Sequence, residues 1–497
     1  QPARVHPEKE GDEMRKEITI DPITRLEGHG SVSIFLDDKG EVENAYLKIP
    51  ELRGFEKFCV GRPAELMPLL TTRICGVCPV AHHYASVKAL DAAFHVDPPS
   101  AAKKLRELQY MGYICYDHTL HFYYLGGPDF IVGPDAPAEK RNILGVIEKA
   151  GLDVAKEVIK HRAYGQKITE IIGGKATHPV SGLPGGMSKP LSEESRKAIL
   201  DMSRSLVDFA QFTLRTFHDI VLGNPAYVEL IKSEMYTQRT YYMGMVDPQN
   251  RVNFYDGKIR VVDPSGKEFA KFDAKDYQQH IEERSEEWTY SKLPFLRKVG
   301  WKGFVDGPEN GAYRVGPLGR LNVADGMATP LANQEYQTMF SLLGKPVHGT
   351  LAFHWARLIE LLYAAEHAVE LASDPEITST DVRNRPGIPG EGVGIVEAAR
   401  GTLIHHYHLD QDALMKSVNM IVATTNNYPS ICMSVRDAAK GLIHDGKVDE
   451  AILNKVEMAF RAYDPCFGCA THFAIGQMPL EVKVYDRRKE LLCQLSR

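Results

Sequence analysis

A mainly α chain with small β-sheets, an α+β fold built on long central helices, is what this 497-residue sequence predicts. Apolar residues recur at helical spacing through most of the chain, in segments that are mostly long and amphipathic. Two short regions switch to strand-like alternation broken by turn residues. Composition agrees, because 43% hydrophobic and 25% charged residues are globular values that exclude disordered, collagen-like and coiled-coil classes.

Taken in order, residues 1–15 read as a polar extension, and 16–472 as one body. From Lys16 to Ile49 the pattern alternates, and the runs 32–36 and 42–47 flank Asp37-Asp38-Lys39-Gly40, which predicts an N-terminal hairpin sheet. Helical spacing follows from Ala64 to Leu70, Val80 to Phe94, Ser100 to Leu125, Ala138 to Ile172 and Glu193 to Leu222. A β-rich insertion is predicted over about 241–302, with strands at 258–262 and 267–272 joined across Asp263-Pro264-Ser265-Gly266. Helices resume from Leu351 to Ala372 and from Met433 to Ala462. The glycines of the loop from Arg385 to Gly392 predict close backbone approach near something bound. In the last 25 residues, Leu480, Val482 and Val484 alternate with Glu481 and Lys483, predicting a short strand and a basic turn. There is no repeat and no low-complexity segment.

The net charge of -6 argues against a general nucleic-acid binder. No apolar run approaches the ~18 residues of a membrane span. The polar start, Gln1 to Gly11, lacks the apolar stretch of an export signal, so a cytoplasmic location is expected.

Eight cysteines are too few for a disulfide scaffold. Cys59, Cys115, Cys432 and Cys493 are isolated, whereas Cys75/Cys78 and Cys466/Cys469 form C-x-x-C pairs, each followed by a histidine, His82 and His472. Two such pairs point to metal. Gly76 is expected to allow a tight backbone between the first two thiols. Pro79 suits the first turn of a helix, which places Cys78 at a helix N-terminus, where a thiolate is favoured. Four thiolates can close a tetrahedral zinc site. Pairs so far apart in the chain exclude a local zinc ribbon and leave a zinc staple between the two ends. Thiolates also suit nickel or iron far better than magnesium or calcium.

Four segments together resemble the large subunit of nickel-iron hydrogenases. They are R-x-C-G-x-C-x-x-x-H at 73–82, D-P-C-x-x-C-x-x-H at 464–472, Asp21-Pro22-Ile23-Thr24-Arg25-Leu26-Glu27-Gly28-His29, and Glu397-Ala398-Ala399-Arg400-Gly401. The resemblance runs from about Ile18 to His472. The run Gly476 to Val482 is most similar to the cytoplasmic, multi-subunit branch that includes F420-non-reducing enzymes associated with heterodisulfide reductase.

The resemblance implies that Cys75 and Cys466 are terminal nickel ligands. Cys78 and Cys469 would bridge to an iron carrying cyanide and carbon monoxide. It implies that Arg400 and Thr424 hydrogen-bond the cyanides, that Asp117 and Asp464 hold Arg400, and that His82 bonds a bridging sulfur. Glu56, His472 and the Met420 carbonyl would bind magnesium or a similar ion. Ala399 and Ala423 stand where many members have proline. The implied activity is heterolytic cleavage or formation of dihydrogen, the proton passing to the Cys466 thiolate and on to Glu27. With four cysteines used and four scattered, iron-sulfur clusters must lie on a small-subunit partner, which further electron-transfer subunits could join. No G-x-G-x-x-G or P-loop is present, so nucleotide or flavin sites also fall to partners. Residues 473–497 are expected to be removed on maturation. His118, His121, His405, His406 and His408 are read as core or surface residues. Two alternatives are a metal-free quinone-site subunit of a respiratory complex and a zinc-stapled scaffold.

Overall fold

The structure is a computed structural model that describes residues 4–5, 16–286, 288–472, 481–485 and 491–496. At its centre the helices Ser100–Leu120, Leu152–Gly173, Glu193–Phe217 and Phe353–Ser373 pack against one another. At 1.5 Å per residue they are roughly 30–38 Å long, enough to run the depth of the body. The predicted segment from Ala138 to Ile172 is two helices, Ile143–Ala150 and Leu152–Gly173, parted by Gly151 at φ 87°. The segment predicted from Met433 is also two, Ala423–Leu442 and Glu450–Arg461, the second capped by Asp449, which accepts from Ile452 N at 2.7 Å. The first begins ten residues early because Ala423 to Val435 is wholly buried, and packing overrides the weak propensities of its threonines, asparagines and Pro429.

The N-terminal sheet is antiparallel, in the order Arg4–Val5, Lys16–Ile20, Ser31–Leu36, Val42–Lys48, and the predicted hairpin forms two of its strands. A second sheet has the order Tyr313–Arg314, Tyr241–Val246, Lys258–Val262, Glu268–Phe272. Its outer hairpin matches the expected one, but Tyr241–Val246 is buried throughout and pairs in parallel with Tyr313–Arg314. Met243, Ile259 and Val261 pack with Ile395, Ile404 and Ile421, so this region shares a core with the third sheet.

That third sheet, Glu391–Ala398, Gly401–Leu409 and Met415–Ile421, is not predicted by the sequence. Its first two strands are covered on both faces, so no alternation betrays them. A Cβ on Gly392 would lie 2.2 Å from Ala89 O, and one on Gly394 2.2 Å from Ala85 O. Gly392, from the loop expected to approach a bound group, and Gly394 beyond it let the helix Pro79–Ala93 lie directly on the strand Glu391–Ala398. This contact sets the start of that helix, beside Cys78, near the hairpin turn at Arg400.

The predicted C-terminal strand falls at Glu481–Tyr485, which pairs antiparallel with Leu491–Ser496; Gly476 to Leu480 lie outside the described residues. Among the described residues, no helix is long and apolar enough to cross a membrane.

Candidate metal centre

The two C-x-x-C pairs, from opposite ends of the chain, meet in the interior. Cys75 Sγ lies 3.3 Å from Cys466 Sγ, Cys78 Sγ 3.3 Å from Cys469 Sγ, and Cys466 Sγ 2.9 Å from Cys469 Sγ. All four sulfurs are buried and lie within 4.8 Å of one another. Cys78 immediately precedes the helix Pro79–Ala93, with Pro79 in its first turn, as predicted. The backbone N–H groups of Val77 and Cys78 donate to Cys75 Sγ at 3.2 and 3.3 Å. Gly76 has no left-handed φ and no atom within 4 Å of where a Cβ would sit, so the expected need for glycine is not seen. Arg53 ties the two loops together, donating to Ile74 O, to Arg73 O at 3.0 Å and to Gly468 O at 3.0 Å.

Hydrogen bonds from the thiols of Cys466, Cys469 and Cys78 hold Cys75 well below the usual thiol range. Burial, with the neighbouring sulfurs, pushes Cys466 and Cys469 well above it. The cluster therefore favours one thiolate, and filling it with metal must release protons from the others.

Glu27 reaches the cluster from the N-terminal segment. Its backbone carbonyl accepts from Phe467 N at 3.0 Å, while Oε2 accepts from Gly468 N and from the Cys466 thiol, each at 3.0 Å. Gly28, at φ 89°, makes this approach possible, since a Cβ there would lie 2.8 Å from Phe467 Cβ. Arg25 anchors the segment through Asp129 at 2.5 Å and Asn454 at 3.0 Å, and Asp129 also holds Arg461 at 2.7 Å. Burial, reinforced by the Cys75 charge, raises the Glu27 carboxyl above its usual range.

Arg400 sits at the turn between Ala398 and Gly401, which pair directly. Its guanidinium meets Asp117 at 3.1 Å and Asp464 at 2.9 Å. Burial alone would lower its pKa, but the two carboxylates outweigh it and keep the charge fixed. Burial, with Asp117 close by, pushes Asp464 up to about 7 despite Arg400. The turn is gripped by the fully buried Arg320, which donates to Ala398 O at 2.8 Å and Ala399 O at 3.1 Å and pairs with Glu397 and Glu360. Ala399 N donates to Tyr113 Oη at 3.0 Å, a bond that proline could not make. Ala423 opens the helix Ala423–Leu442, where either residue fits.

A small cavity lies against Cys78, Cys466 and Cys469. Ala398, Leu403, Val422 and Ala423 wall it with apolar groups, and Arg400, Thr424 and His82 supply polar ones. Thr424 Oγ1 accepts from Cys466 N at 3.0 Å, which leaves its hydroxyl hydrogen to donate. Arg400 Nε is buried without a partner among the described residues. Four soft donors, an apolar hollow and a polar atom lacking a partner fit a nickel-iron centre with small ligands.

His82 Nε2 lies 3.5 Å from Cys469 Sγ, and its Nδ1 lies 3.2 Å from His405 Nε2. His405 Nδ1 in turn meets Tyr407 Oη at 2.7 Å. Burial lowers the His82 pKa to about 3, so it is neutral. His405, expected as a core or surface residue, thus belongs to the surroundings of the cluster, and nothing local in the sequence signals it.

Below the cluster, Glu56 Oε1 accepts from Met420 N at 2.7 Å and lies 3.5 Å from His472 Nε2. His472 Nε2 is 2.6 Å from Met420 O, and Nδ1 is 2.8 Å from Cys469 O. Both ring nitrogens face carbonyl acceptors, an arrangement that a cation between these groups would satisfy. Lys292 lies 3.7 Å from Glu56 and 3.4 Å from Glu283. His472, Lys292 and the Met420 amide outweigh burial and keep Glu56 below its usual range. Every residue predicted for the site is therefore in one region. Arg53, Arg320, Glu360, Tyr113, Leu403 and His405 join them without having been marked by the sequence.

Residues 53–140 and 156–472 match the nickel-dependent hydrogenase family, and residues 17–52 match the HoxL-like family. The chain belongs to the nickel-dependent hydrogenases, as a large subunit. It is similar to the F420-non-reducing hydrogenase iron-sulfur subunit of Archaeoglobus profundus, 47% identical over 480 residues, or 96% of this chain and 99% of that one. It is 38% identical over 503 residues to the NAD-reducing hydrogenase HoxS beta chain of Cupriavidus necator, covering 97% and 100% of the two chains. The crystal structure of an NAD+-reducing NiFe hydrogenase in the H2-reduced state matches with a TM-score of 0.86 and 37% identity, over 92% of this chain and 99% of that one. The Ni-Fe-Se hydrogenase of D. vulgaris Hildenborough shares the fold, with a TM-score of 0.74 at 24% identity over 92% of this chain and 100% of that one. The protein is an oxidoreductase acting on hydrogen, and its four-cysteine cluster fits the nickel-iron site. The quinone-site and zinc-scaffold alternatives are not favoured.

Proposed function

We propose that Cys75, Cys78, Cys466 and Cys469 would hold a nickel-iron centre, Cys75 and Cys466 serving nickel and Cys78 and Cys469 serving both metals, which makes this chain the seat of dihydrogen cleavage or formation. The carrying observation is the convergence of four buried sulfurs beside an apolar cavity that presents one guanidinium and one hydroxyl. When bound, the metal centre supplies heterolytic activation of dihydrogen and an outlet for its electrons. Arg400 and Thr424, which line the cavity, would donate to cyanide ligands, and carbon monoxide would lie against the apolar walls of Ala398, Leu403 and Val422. Asp117 and Asp464 position Arg400. His82, steadied by His405, donates to Cys469 Sγ.

The proton's first move is from Cys466 Sγ to Glu27 Oε2, 3.0 Å away. Glu56, the Met420 carbonyl and His472 bind magnesium or a similar ion, which resolves the two acceptors facing His472. Cys59, Cys115 and Cys432 are buried apart from the cluster, and burial raises each thiol, so they offer no cluster of their own. Electrons would therefore leave to an iron-sulfur small subunit, within a cytoplasmic assembly of the heterodisulfide-reductase type; the relatives named as subunits of F420-non-reducing hydrogenases agree with a multi-subunit enzyme of that branch.

Glu27→Gln keeps the shape and a hydrogen bond but takes up no proton. Metal content stays normal, and turnover falls by roughly 10²–10⁴, the range for a lost acid-base group. Unchanged turnover overturns this proton route. The body is residues 16–472, and the active chain ends at His472, whose backbone and side chain are already locked in the interior. Intact mass of active, nickel-loaded protein checks this: loss of residues 473–497 is expected, and a fully active chain that retains them contradicts it.

A further inference from the structure

We propose a second metal site, at the open end of the hairpin that carries Arg400, where Glu391, His406 and His408 bind one divalent transition-metal ion of the zinc class from solvent. The register of the hairpin builds it. Glu391 pairs with His408 across the two strands, and His406 lies two residues back on the same strand as His408. Residues at i and i+2 share one face of a strand, so both imidazoles and the carboxylate project from the same side. One ligand atom from each lies within 4.8 Å of the other two.

The distances are those of a chelate close to forming. His408 Nε2 is 3.5 Å from Glu391 Oε1, about the separation of neighbouring ligands around a tetrahedral zinc with bonds of roughly 2.0–2.2 Å. His406 Nε2 is 2.8 Å from the same oxygen, a direct hydrogen bond that must open by roughly 0.6 Å to admit the ion. The two rings are 4.7 Å apart between centroids.

Outer contacts orient the buried ligand. His406 is 5% exposed, and its Nδ1 meets Tyr277 Oη at 3.0 Å, while Asn419 donates to that same oxygen at 3.1 Å. In the metal-free site the ring proton on Nε2 is donated to Glu391; on metal binding the neutral ring would carry it on Nδ1, where Tyr277 Oη accepts it, leaving the Nε2 lone pair for the ion, the usual arrangement of a ligating histidine. Glu391 and His408 are 58% and 41% exposed, so the ion has an entry path and room for water as a fourth ligand. Two imidazoles and one carboxylate favour zinc, nickel or copper over magnesium and calcium. The site is separate from the four sulfurs, since His406 and His408 lie on the face of the strand opposite to His405, the histidine that reaches His82 and Cys469. Bound there, an ion would fasten together the free ends of the two strands whose turn presents Arg400.

The test uses the purified, nickel-loaded enzyme with all its subunits. Wild type, His408→Ala and Glu391→Gln are each equilibrated with Zn2+, dialysed, and assayed for zinc and nickel, while amide exchange is followed at 391–393 and 406–408. Wild type should retain one more zinc per chain than either variant, at equal nickel, and should gain protection in those segments only with zinc present. Glu391 is mostly exposed and His408 partly so, and neither belongs to the buried core, so the substitutions leave the packing of the strand intact. Equal zinc in all three proteins, or no gain in protection, means that Glu391 merely pairs with the histidines, and overturns the proposal whatever the state of the four-cysteine site.

Discussion

Arg400 is held rather than merely placed. An unpaired guanidinium at 3% exposure would be costly, and Asp117 and Asp464 offset that cost while Nε stays without a partner among the described residues. Lysine has one compact ammonium and cannot span two carboxylates and a cavity together. Arg400→Lys should keep nickel and iron but lose roughly 10²-fold in turnover, the effect of one missing preorganised donor. Wild-type turnover in that variant would deny Arg400 a part in the chemistry. At this scale the sequence is most legible where a motif carries the residue: the four cysteines, Glu27, Thr424, Glu56 and His472. Tyr113 and His405 are not legible, because a residue that acts through a backbone N–H or a neighbouring imidazole leaves no spacing pattern of its own.

Elements bring these residues together, and the tightest approach is the segment 27–30 against 466–468. Its tolerance is small: Gly28 combines φ 89° with a Cβ position 2.8 Å from Phe467 Cβ and 2.9 Å from Gly468 N. Gly28→Ala should destabilise the protein by roughly 2–4 kcal/mol, from left-handed strain plus overpacking, and lower turnover by parting Glu27 from Cys466. A thermal midpoint and an activity equal to wild type would show that the segment yields more easily than its packing suggests. The N-terminal hairpin and the helices Leu152–Gly173 and Glu193–Phe217 are readable because each keeps one face in the core and a regular period, whereas Ser100–Leu120, buried on all sides from Leu108 to Thr119, is readable by its length. The hairpin of Glu391–Ala398 and Gly401–Leu409 is not, since burial on both faces erases alternation and its glycines mimic a loop. Those glycines do mark a close approach, as expected. The partner is a helix of the same chain, not a bound group.

Across the whole molecule, the site exists only because the two ends of the chain meet. Residues near 27, 53, 75–82, 400, 424 and 464–472 converge on one buried cluster, and the hidden lattice of Arg320, Glu360 and Glu397 fixes the turn that faces it. Long-range convergence of this kind is invisible to local pattern, and is accessible only through the family resemblance that links the two cysteine pairs. The central claim is that these four sulfurs hold nickel and iron together. Elemental analysis of the purified protein beside a Cys469→Ser variant tests it most directly, because a hydroxyl is a poor bridge between two soft metals. Nickel and iron are expected in equal amounts in the wild type and neither in the variant. Zinc in place of both metals, or full nickel and iron retained by Cys469→Ser, would contradict it.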